Sequence, residues 1–284
     1  MKIQITADST ADLTEELIER FNIKIIPLMV TLGDKTYLDG VDIKPEDIYE
    51  YFDKTGELPK TGARSPEDYK EFFKQFTDQG YEVVHLSIGS LLSSGYSASC
   101  VGASELPNVY VVDTKTLSSA VGLHAMAAAD LVKEGKLTAK EIAEKIAGRS
   151  DNCQASFIIE KLKFLYKGGR CSRLAVLGAN LLRIKPSIQV VNGKNEVGKK
   201  YMGNYLNCME KYIDDTLEKY NTPDTTRVTI TYSTATQEMI DLAKKKLEAY
   251  GKFKEIMVTQ AGSVINCHCG RNTLGILYFN DGNN

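Results

Sequence analysis

The sequence lacks any long apolar run. None of its 284 residues falls in an apolar segment approaching the ~20 residues that a membrane-spanning helix requires. The segment MKIQITADST contains no apolar core of the kind found in secretory signal peptides. We therefore expect a cytoplasmic protein whose six cysteines are reduced thiols.

An excess of positive charge is also missing. Lys and Arg number 35 against 37 Asp and Glu, so the formal net charge is −2 and the pI is about 6.0. Proteins that bind nucleic acids generally present a basic face to the phosphate backbone. The composition therefore argues against a nucleic-acid partner, while 43% apolar and 25% charged residues are ordinary for a globular protein.

Motifs of nucleotide binding and of serine hydrolysis are absent. The chain has no G-x-x-x-x-G-K-[ST], no G-x-G-x-x-G and no G-x-S-x-G string. Three histidines, His85, His124 and His268, are available as a base for a serine nucleophile, and His124 lies in an apolar helical segment that suits packing. A serine esterase that uses Ser93 is therefore the weaker alternative.

The cysteines give little indication of a metal site. Only Cys267 and Cys269 lie close together, in the segment CHC. Successive side chains of an extended segment face opposite ways, and no second cluster completes four zinc ligands. We predict no metal.

Strand-like and helix-like segments alternate through the first half of the chain. KIQITA, KIIPLMVTL, EVVHLSI and VYVVD have strand character, and DLTEELIERF, KPEDIYEYF and SPEDYKEFFKQF have helical character. LTAKEIAEKIA is a further helix, opened by the capping box Thr138 to Glu141. This alternation predicts a mostly parallel sheet with helices on both faces.

A second unit is predicted after residue 160. There IKPSIQVVNGKNEVGKKY alternates around a Gly-containing turn, as a hairpin does, and the remaining segments resume the α/β alternation. We predict two α/β domains, residues 1–160 and 161–284, with mostly parallel sheets flanked by helices. Because no low-complexity linker separates the domains, a ligand is expected in or near the cleft between them.

The segment LSIGSLLSSGYSAS (86–99) follows a predicted strand and is rich in serine. A strand-to-helix turn presents free N–H groups, and its hydroxyls add donors, so this loop suits an anion. The plain alternative is that Ser93 or Ser94 only caps the next helix. Other strand ends should share the ligand, namely TADST (6–10) and PKTGARS (59–65), which offers Thr61, Arg64 and Ser65.

Two further segments carry candidate residues. Arg170 and Arg173, in YKGGRCSRL, share a face if this segment is helical, although surface arginines are an equally good reading. His268 lies just before the last predicted strand, and a lone histidine is more often structural than functional.

Seven segments, in this order, resemble the DegV family of fatty-acid-binding proteins over essentially the whole chain. They are ITADSTADL, IIPLMVTLGDKTYLDGVDI, KTGARSPEDY, LSIGSLLSSGYSAS, VYVVDTKTLSSAVGL, LYKGGRCSRL with LLRIKPSI, and CHCGRNTLGILYF. Members with an assigned role carry one long-chain fatty acid between two α/β domains. Some are the binding subunit of a bacterial fatty acid kinase, the FakB role.

The resemblance implies which residues meet the fatty acid carboxylate. Thr61 and Ser93 match the two positions whose hydroxyls bind it, and Ser94 or Gly95 would add a backbone N–H. The chain departs from the family pattern at Gly62, where the family has serine, and at Ser94–Gly95, where it has Gly-Thr.

The resemblance also places Arg170, Arg173 and His268 near the head group or at a contact with the kinase. After the histidine, the family's Gly-Pro-Gly is replaced by a segment containing Arg271 and Asn272.

The function implied is that of a lipid carrier and not of an enzyme. It would hold a long-chain fatty acid, for example palmitate or a C18 acid, in a buried tunnel and present the carboxylate to a separate ATP-binding kinase, in phospholipid metabolism. No cofactor other than this ligand is expected, and transient contact with a membrane surface fits such a carrier. A lipid sensor or transport protein without a kinase partner stays open.

Overall fold

The computed structural model describes residues 2–171 and 184–282. Its strands are Lys2–Asp8 (β1), Ile23–Ile26 (β2), Met29–Leu32 (β3), Lys35–Leu38 (β4), Lys60–Gly62 (β5), Tyr81–Ser87 (β6), Val109–Asp113 (β7), Cys153–Ile158 (β8), Ile184–Val191 (β9), Lys194–Met202 (β10), Arg227–Tyr232 (β11), Glu255–Gln260 (β12) and Leu274–Phe279 (β13). Its helices are Glu15–Arg20 (α1), Pro45–Thr55 (α2), Pro66–Thr77 (α3), Gly95–Ala103 (α4), Ser119–Glu134 (α5), Ala139–Ala147 (α6), Lys163–Lys167 (α7), Tyr205–Lys219 (α8), Gln237–Tyr250 (α9) and Ser263–Cys269 (α10). No helix within these ranges is long and apolar enough to cross a lipid bilayer.

The first sheet has four strands in the order β2-β1-β6-β7, and all neighbours are parallel. Successive side chains of a strand face opposite sides, so Val83 and Val84 of β6 join different apolar clusters. Val84 packs with residues of α5 and α6, whereas Val83 packs with residues of α3. Helices on both faces are what the alternation predicted.

The predicted strand KIIPLMVTL is divided at Pro27 into β2 and β3. Because proline has no N–H for a sheet ladder, the chain leaves the first sheet at this point. β3 then pairs antiparallel with β4 and β5 in a separate three-stranded sheet. Leu28 and Val30 pack this small sheet against α10 and α2.

The second sheet has six strands in the order β10-β9-β8-β13-β11-β12. In the described residues β11 and β12 are its one parallel pair, and the other neighbours are antiparallel. The expectation of mostly parallel strands therefore holds for the first sheet and needs correction here. A parallel pair requires a crossover such as α9, whereas β9 and β10 are joined by a tight turn in which Asn192 and Gly193 both have positive φ.

Helix α5 lies between the two large sheets. Its residues from Ser119 to Met126 are all buried, and its apolar side chains share a cluster with Ala7 of β1 and Leu277 of β13. Gly122 allows α5 to lie close to the turn after β1, because a Cβ at this position would lie 2.6 Å from the carbonyl oxygen of Ala11. The alanine-rich composition of the helix follows from the narrow space between the sheets.

Strand β8 is relevant to where the chain divides into two domains. It precedes residue 160, yet it pairs with β9 and β13 of the second sheet. A division just before Cys153 would leave both large sheets whole, whereas a boundary at residue 160 separates β8 from the other strands of the second sheet. The ranges 1–160 and 161–284 themselves stay a prediction.

Candidate functional site

A cavity of about 120 Å³ is enclosed by loops and strands from all three sheets. Its polar side chains are Thr61, Ser93, Ser94, Arg170, Asn195 and His268. The side chains that form its apolar walls are those of Leu28, Ile88, Leu92, Leu117, Phe157, Leu165, Val264, Ile265 and Cys269. Five of the residues singled out from the sequence therefore line one cavity. Arg173 lies outside the described residues.

A hydrogen bond and close backbone packing hold the serine loop, residues 88–94, in place. The N–H of Ile88 donates to Oδ2 of the buried Asp8 at 2.8 Å. Gly89 lies so close to the next loop that a Cβ there would be 2.9 Å from the backbone carbon of Lys115. These contacts fix the loop backbone that carries the hydroxyls.

Ser93 and Ser94 differ in what they do at the start of α4. The N–H of Gly95, the first residue of α4, donates to Oγ of Ser93 at 3.1 Å, a local turn contact made by the residue before the N-cap. This contact uses the hydroxyl only as an acceptor, so its hydrogen remains available to a ligand. Ser94 makes no side-chain capping bond. Gly95 does not line the cavity, and its N–H is engaged by Ser93.

Thr61 is joined to His268 across the cavity wall. Oγ1 of Thr61 lies 2.9 Å from Nε2 of His268. Its neighbours in the predicted donor set are used elsewhere: Arg64 pairs with Asp68 at 3.0 Å, and Oγ of Ser65 accepts from the N–H of Asp68 at 3.1 Å. Both contacts belong to the first turn of α3, so Arg64 and Ser65 do not line the cavity.

The loop after β1 supports the site without lining it. Oδ1 of Asp12 accepts from the N–H of Gly262 at 2.8 Å, and Oδ1 of Asp39 accepts from the N–H of Ser263 at 2.7 Å. Both carboxyls thus hold the N-terminus of α10, the helix that carries His268. Burial raises the pKa of each of them, most strongly that of Asp12, to which Asp39 adds repulsion. Oγ of Ser9, within TADST, donates to Oδ2 of Asp39 at 2.8 Å, and no residue of TADST lines the cavity, so the prediction that this segment shares the ligand is corrected to a supporting role.

His268 is neutral at pH 7. Burial, with a smaller contribution from Arg170, lowers its pKa to about 4. Its Nδ1 has no hydrogen-bond partner among the described residues. Gly168 packs directly on this nitrogen, since a Cβ there would lie 2.7 Å from it. A neutral imidazole can donate at one nitrogen and accept at the other.

Arg170 lies at the opening of the cavity. Its side chain is exposed, and Nη1 donates to the carbonyl oxygen of Gly168 at 2.9 Å. The guanidinium is therefore tethered to the same glycine that packs on His268 and remains accessible to solvent.

A second, smaller cavity of about 40 Å³ adjoins the first. Leu117, Phe157, Ile265 and Cys269 line both of them. The smaller cavity extends towards Leu277 in the second sheet. Together they offer a path that leads away from the polar groups between the two large sheets.

The cysteine pair lies on α10 and not in an extended segment. Cys267 and Cys269 are both buried, and burial raises the pKa of Cys269 to about 12. Within residues 2–171 and 184–282, no three Asp, Glu, Cys or His side chains are grouped as a metal site requires.

Comparison with known proteins decides the family. A model of the family described as "Uncharacterised protein, DegV family" matches residues 2–281. The chain belongs to the DegV family. The resemblance stated from the sequence is thereby confirmed.

Relatives of this DegV chain are described as fatty-acid-binding proteins. A fatty acid-binding protein of Thermotoga maritima is 30% identical over 286 residues, which cover 97% of this chain and 96% of that one. A DegV family protein from Thermus thermophilus, described for its fatty acid binding, has a TM-score of 0.89 at 26% identity and covers 99% of this chain and 100% of its own. A Thermotoga maritima structure that "reveals fatty acid binding function" has a TM-score of 0.81 at 28% identity, with 98% and 99% covered. These structures confirm the two-domain α/β fold.

The departures from the DegV pattern after His268 have local explanations. Arg271 forms an ion pair with Asp53 of α2 at 2.6 Å and lies over the ring of Tyr49. Nδ2 of Asn272 donates to Glu160 at 2.7 Å. Neither side chain lines the cavity. The two substitutions therefore affect contacts of the segment after α10 and leave the polar side chains of the cavity unchanged.

Sequence reasoning missed several lining residues of this DegV chain, namely Leu117, Phe157, Asn195 and Ile265. The apolar ones carry no signal that separates them from core residues. Asn195 does carry a signal in the sequence, because it shares a face of the predicted hairpin with the apolar Val197. A polar residue on an apolar face is the pattern that could have revealed it.

Proposed function

We propose that this protein binds a long-chain fatty acid in the cavity, with the carboxylate held by the hydroxyls of Thr61 and Ser93. One observation carries the proposal: three segments far apart in the chain bring Thr61, Ser93 and His268 to one cavity whose other walls are largely apolar. The relatives described as fatty-acid-binding proteins support the same class of ligand.

The hydrogen-bond donors suit an ionised carboxylate, which accepts hydrogen bonds and donates none. Ser93 keeps its hydroxyl hydrogen for the ligand, because its oxygen already accepts from Gly95. Thr61 can donate to the ligand only if its own oxygen accepts from Nε2 of His268. Ligand binding would therefore select the tautomer of His268 with its hydrogen on Nε2. In this tautomer Nδ1 bears no hydrogen, in keeping with its lack of a partner in the described structure.

The apolar walls would supply most of the affinity. Burial of one CH₂ contributes about 0.8 kcal/mol, so a sixteen-carbon chain gains on the order of 10 kcal/mol before entropy losses. A path for the tail leads past Leu117, Phe157 and Ile265 into the smaller cavity. The carboxylate must not cancel this gain, since an unpaired buried charge costs several kcal/mol. Two hydroxyls, with the backbone N–H of Ser94, would offset that cost.

We further propose the carrier role, in which a separate kinase phosphorylates the bound acid. A carboxylate oxygen would form a bond to the γ-phosphorus of ATP while the bond from that phosphorus to the leaving ADP breaks. Arg170 is exposed at the opening, where it would meet the kinase or the incoming phosphate. The family resemblance suggests the same role for Arg173. Because the sequence has no nucleotide-binding motif, a second protein must supply the ATP.

The esterase alternative is less well supported by the geometry. In a Ser-His-Asp triad the base binds the serine with one nitrogen and a carboxylate with the other. His268 instead binds Thr61, and its Nδ1 has no carboxylate partner among the described residues. Steady hydrolysis of an acyl ester by the purified protein would revive this alternative.

The first experiment is native mass spectrometry of the purified protein, followed by lipid extraction. We expect a stoichiometric adduct that yields a C14–C18 fatty acid. A mass without adduct that stays unchanged after palmitate is added would contradict the proposal. Acyl phosphate formation with a cognate kinase and ATP then separates the carrier from a lipid sensor, which would bind the acid and give no acyl phosphate.

A further inference from the structure

A buried amide in the cavity wall takes no part in the polar set proposed above. Asn195 of β10 is 7% exposed and lines the cavity. Its Oδ1 is buried and has no hydrogen-bond partner among the described residues. A buried amide oxygen without a donor destabilises a fold, so its presence on this wall is consistent with an amide that turns and pairs when a ligand arrives.

The position of the hairpin places Asn195 beside the serine loop. At the hairpin tip, a Cβ on Gly193 would lie 3.4 Å from Cδ1 of Leu91. The smaller cavity, where the tail would end, is lined by other residues and not by Asn195. Asn195 therefore lies on the side of the cavity that holds the hydroxyls.

We propose that Asn195 is a third contact of the ligand's carboxylate, with its amide N–H₂ as donor. This inference rests on the proposed function. Rotation of the amide by a half turn exchanges its oxygen and nitrogen, and no partner of Oδ1 opposes that rotation. The carboxylate would then accept from Thr61, Ser93 and Asn195.

The contact would make the site selective for an acid. Asn195 belongs to the second sheet, whereas Thr61 lies in the small sheet and Ser93 follows the first. A carboxylate can satisfy donors from three directions because it has two oxygens with about four lone pairs in all. A long-chain alcohol has one oxygen and leaves some of these donors unpaired, so the site should discriminate between palmitate and hexadecanol.

The test compares wild type with Asn195→Leu, which keeps the size of the side chain and removes its polar atoms. Dissociation constants are measured for palmitate and for hexadecanol, which share the same tail. A hydrogen bond to a charged group corresponds to a loss of roughly ten- to a hundredfold in affinity. We expect a loss of that size for palmitate and a change of less than about threefold for hexadecanol. Lys194→Leu, an exposed neighbour on the same strand, is the matched control and should bind both ligands as wild type does.

A second variant, Asn195→Asp, tests the proposal even if Asn195→Leu fails to fold. Asn195→Asp places a carboxylate beside the carboxylate of the ligand, so palmitate should bind more weakly at pH 8 than at pH 5, relative to wild type at each pH. Equal losses for palmitate and hexadecanol in Asn195→Leu, or unchanged palmitate binding in both variants, would overturn the inference while leaving fatty acid binding intact. Failure of wild type to bind palmitate would overturn the proposed function instead.

Discussion

Thr61 and His268 are 207 residues apart in the chain, and Oγ1 of one lies 2.9 Å from Nε2 of the other. The contact joins the small three-stranded sheet to the short helix α10. It orients the threonine hydroxyl and engages one of the two nitrogens of a neutral imidazole. When Nε2 of His268 donates to Oγ1, the hydroxyl hydrogen of Thr61 is free for a carboxylate, as the proposed function requires.

Replacement of Thr61 by valine should weaken fatty acid binding because valine keeps the shape and removes the donor. We expect palmitate affinity to fall by about ten- to a hundredfold, as for loss of a hydrogen bond to a charged group. Titration calorimetry with palmitate measures it. Thr61→Ser should retain most of the affinity, and Thr36→Val, in strand β4 of the same three-stranded sheet, is the control. Equal affinities of Thr61→Val and wild type would show that the Thr61 hydroxyl does not bind the carboxylate.

Replacement of Gly168 by alanine should displace His268. The added Cβ would lie 2.7 Å from Nδ1 of His268 and 2.9 Å from the carbonyl oxygen of Phe164, so one of them must move. Overpacking of this kind costs about 1–3 kcal/mol, and we expect palmitate affinity to fall by about 5- to 150-fold. The imidazole signals in an NMR spectrum report the displacement. Gly148→Ala, where the atom nearest to the added Cβ is 3.5 Å away, should change neither the palmitate affinity nor the imidazole signals.

Acidification should destabilise the fold through His124. The side chain is fully buried, Nδ1 lies 2.7 Å from the carbonyl oxygen of Ala120, and burial lowers its pKa to about 4. The ordinary pKa is about 6.5, so between these values the unfolded state binds the proton and the native state does not. The stability due to neutral His124 is therefore complete above pH 7 and falls by about 1.4 kcal/mol per pH unit from pH 6.5 towards pH 4.

Urea unfolding of wild type and His124→Gln over pH 4–8 isolates this contribution. The difference in the free energy of unfolding between the two proteins should be constant above pH 7 and change with the stated slope below it. Parallel curves over the whole range would show that His124 does not carry the effect.

Replacement of Ile265 by tryptophan should shorten the ligand that the protein accepts. Ile265 lines both cavities, so a larger side chain there narrows the passage between them. We expect palmitate affinity to fall much more than decanoate affinity, because only the longer tail needs the smaller cavity. Equal losses for the two acids would place the tail elsewhere. The melting temperature, measured alongside, shows whether the variant is folded.

Much of the local structure could be predicted because it depends on residues a few positions apart. The capping box from Thr138 to Glu141 is present as expected, with the N–H of Glu141 donating to the threonine hydroxyl at 3.3 Å. The alternation of helices and strands likewise indicated the α/β class. The order of seven motifs identified the family, and five of the seven residues that it singled out line one cavity.

Other parts of the site could not be predicted because they depend on contacts between distant segments. Nothing near Asp12 or Asp39 in the sequence shows that both carboxylates hold the start of α10, more than 200 residues away. Arg64 looked like an anion ligand, but Asp68, four residues on, engages it within the first turn of α3.

The family, the α/β class, the positions of most helices and strands, and the hydroxyl-rich loops could all be inferred from the amino-acid sequence, because periodicity, capping and motif order are local. Four features became visible in the folded chain: the strand directions of the second sheet, the contact of Thr61 with His268, the support of α10 by two aspartates and the presence of Asn195 in the cavity wall. These features depend on which distant segments pack together. That choice is made by the burial of the apolar surface of the whole chain and not by any single stretch of it.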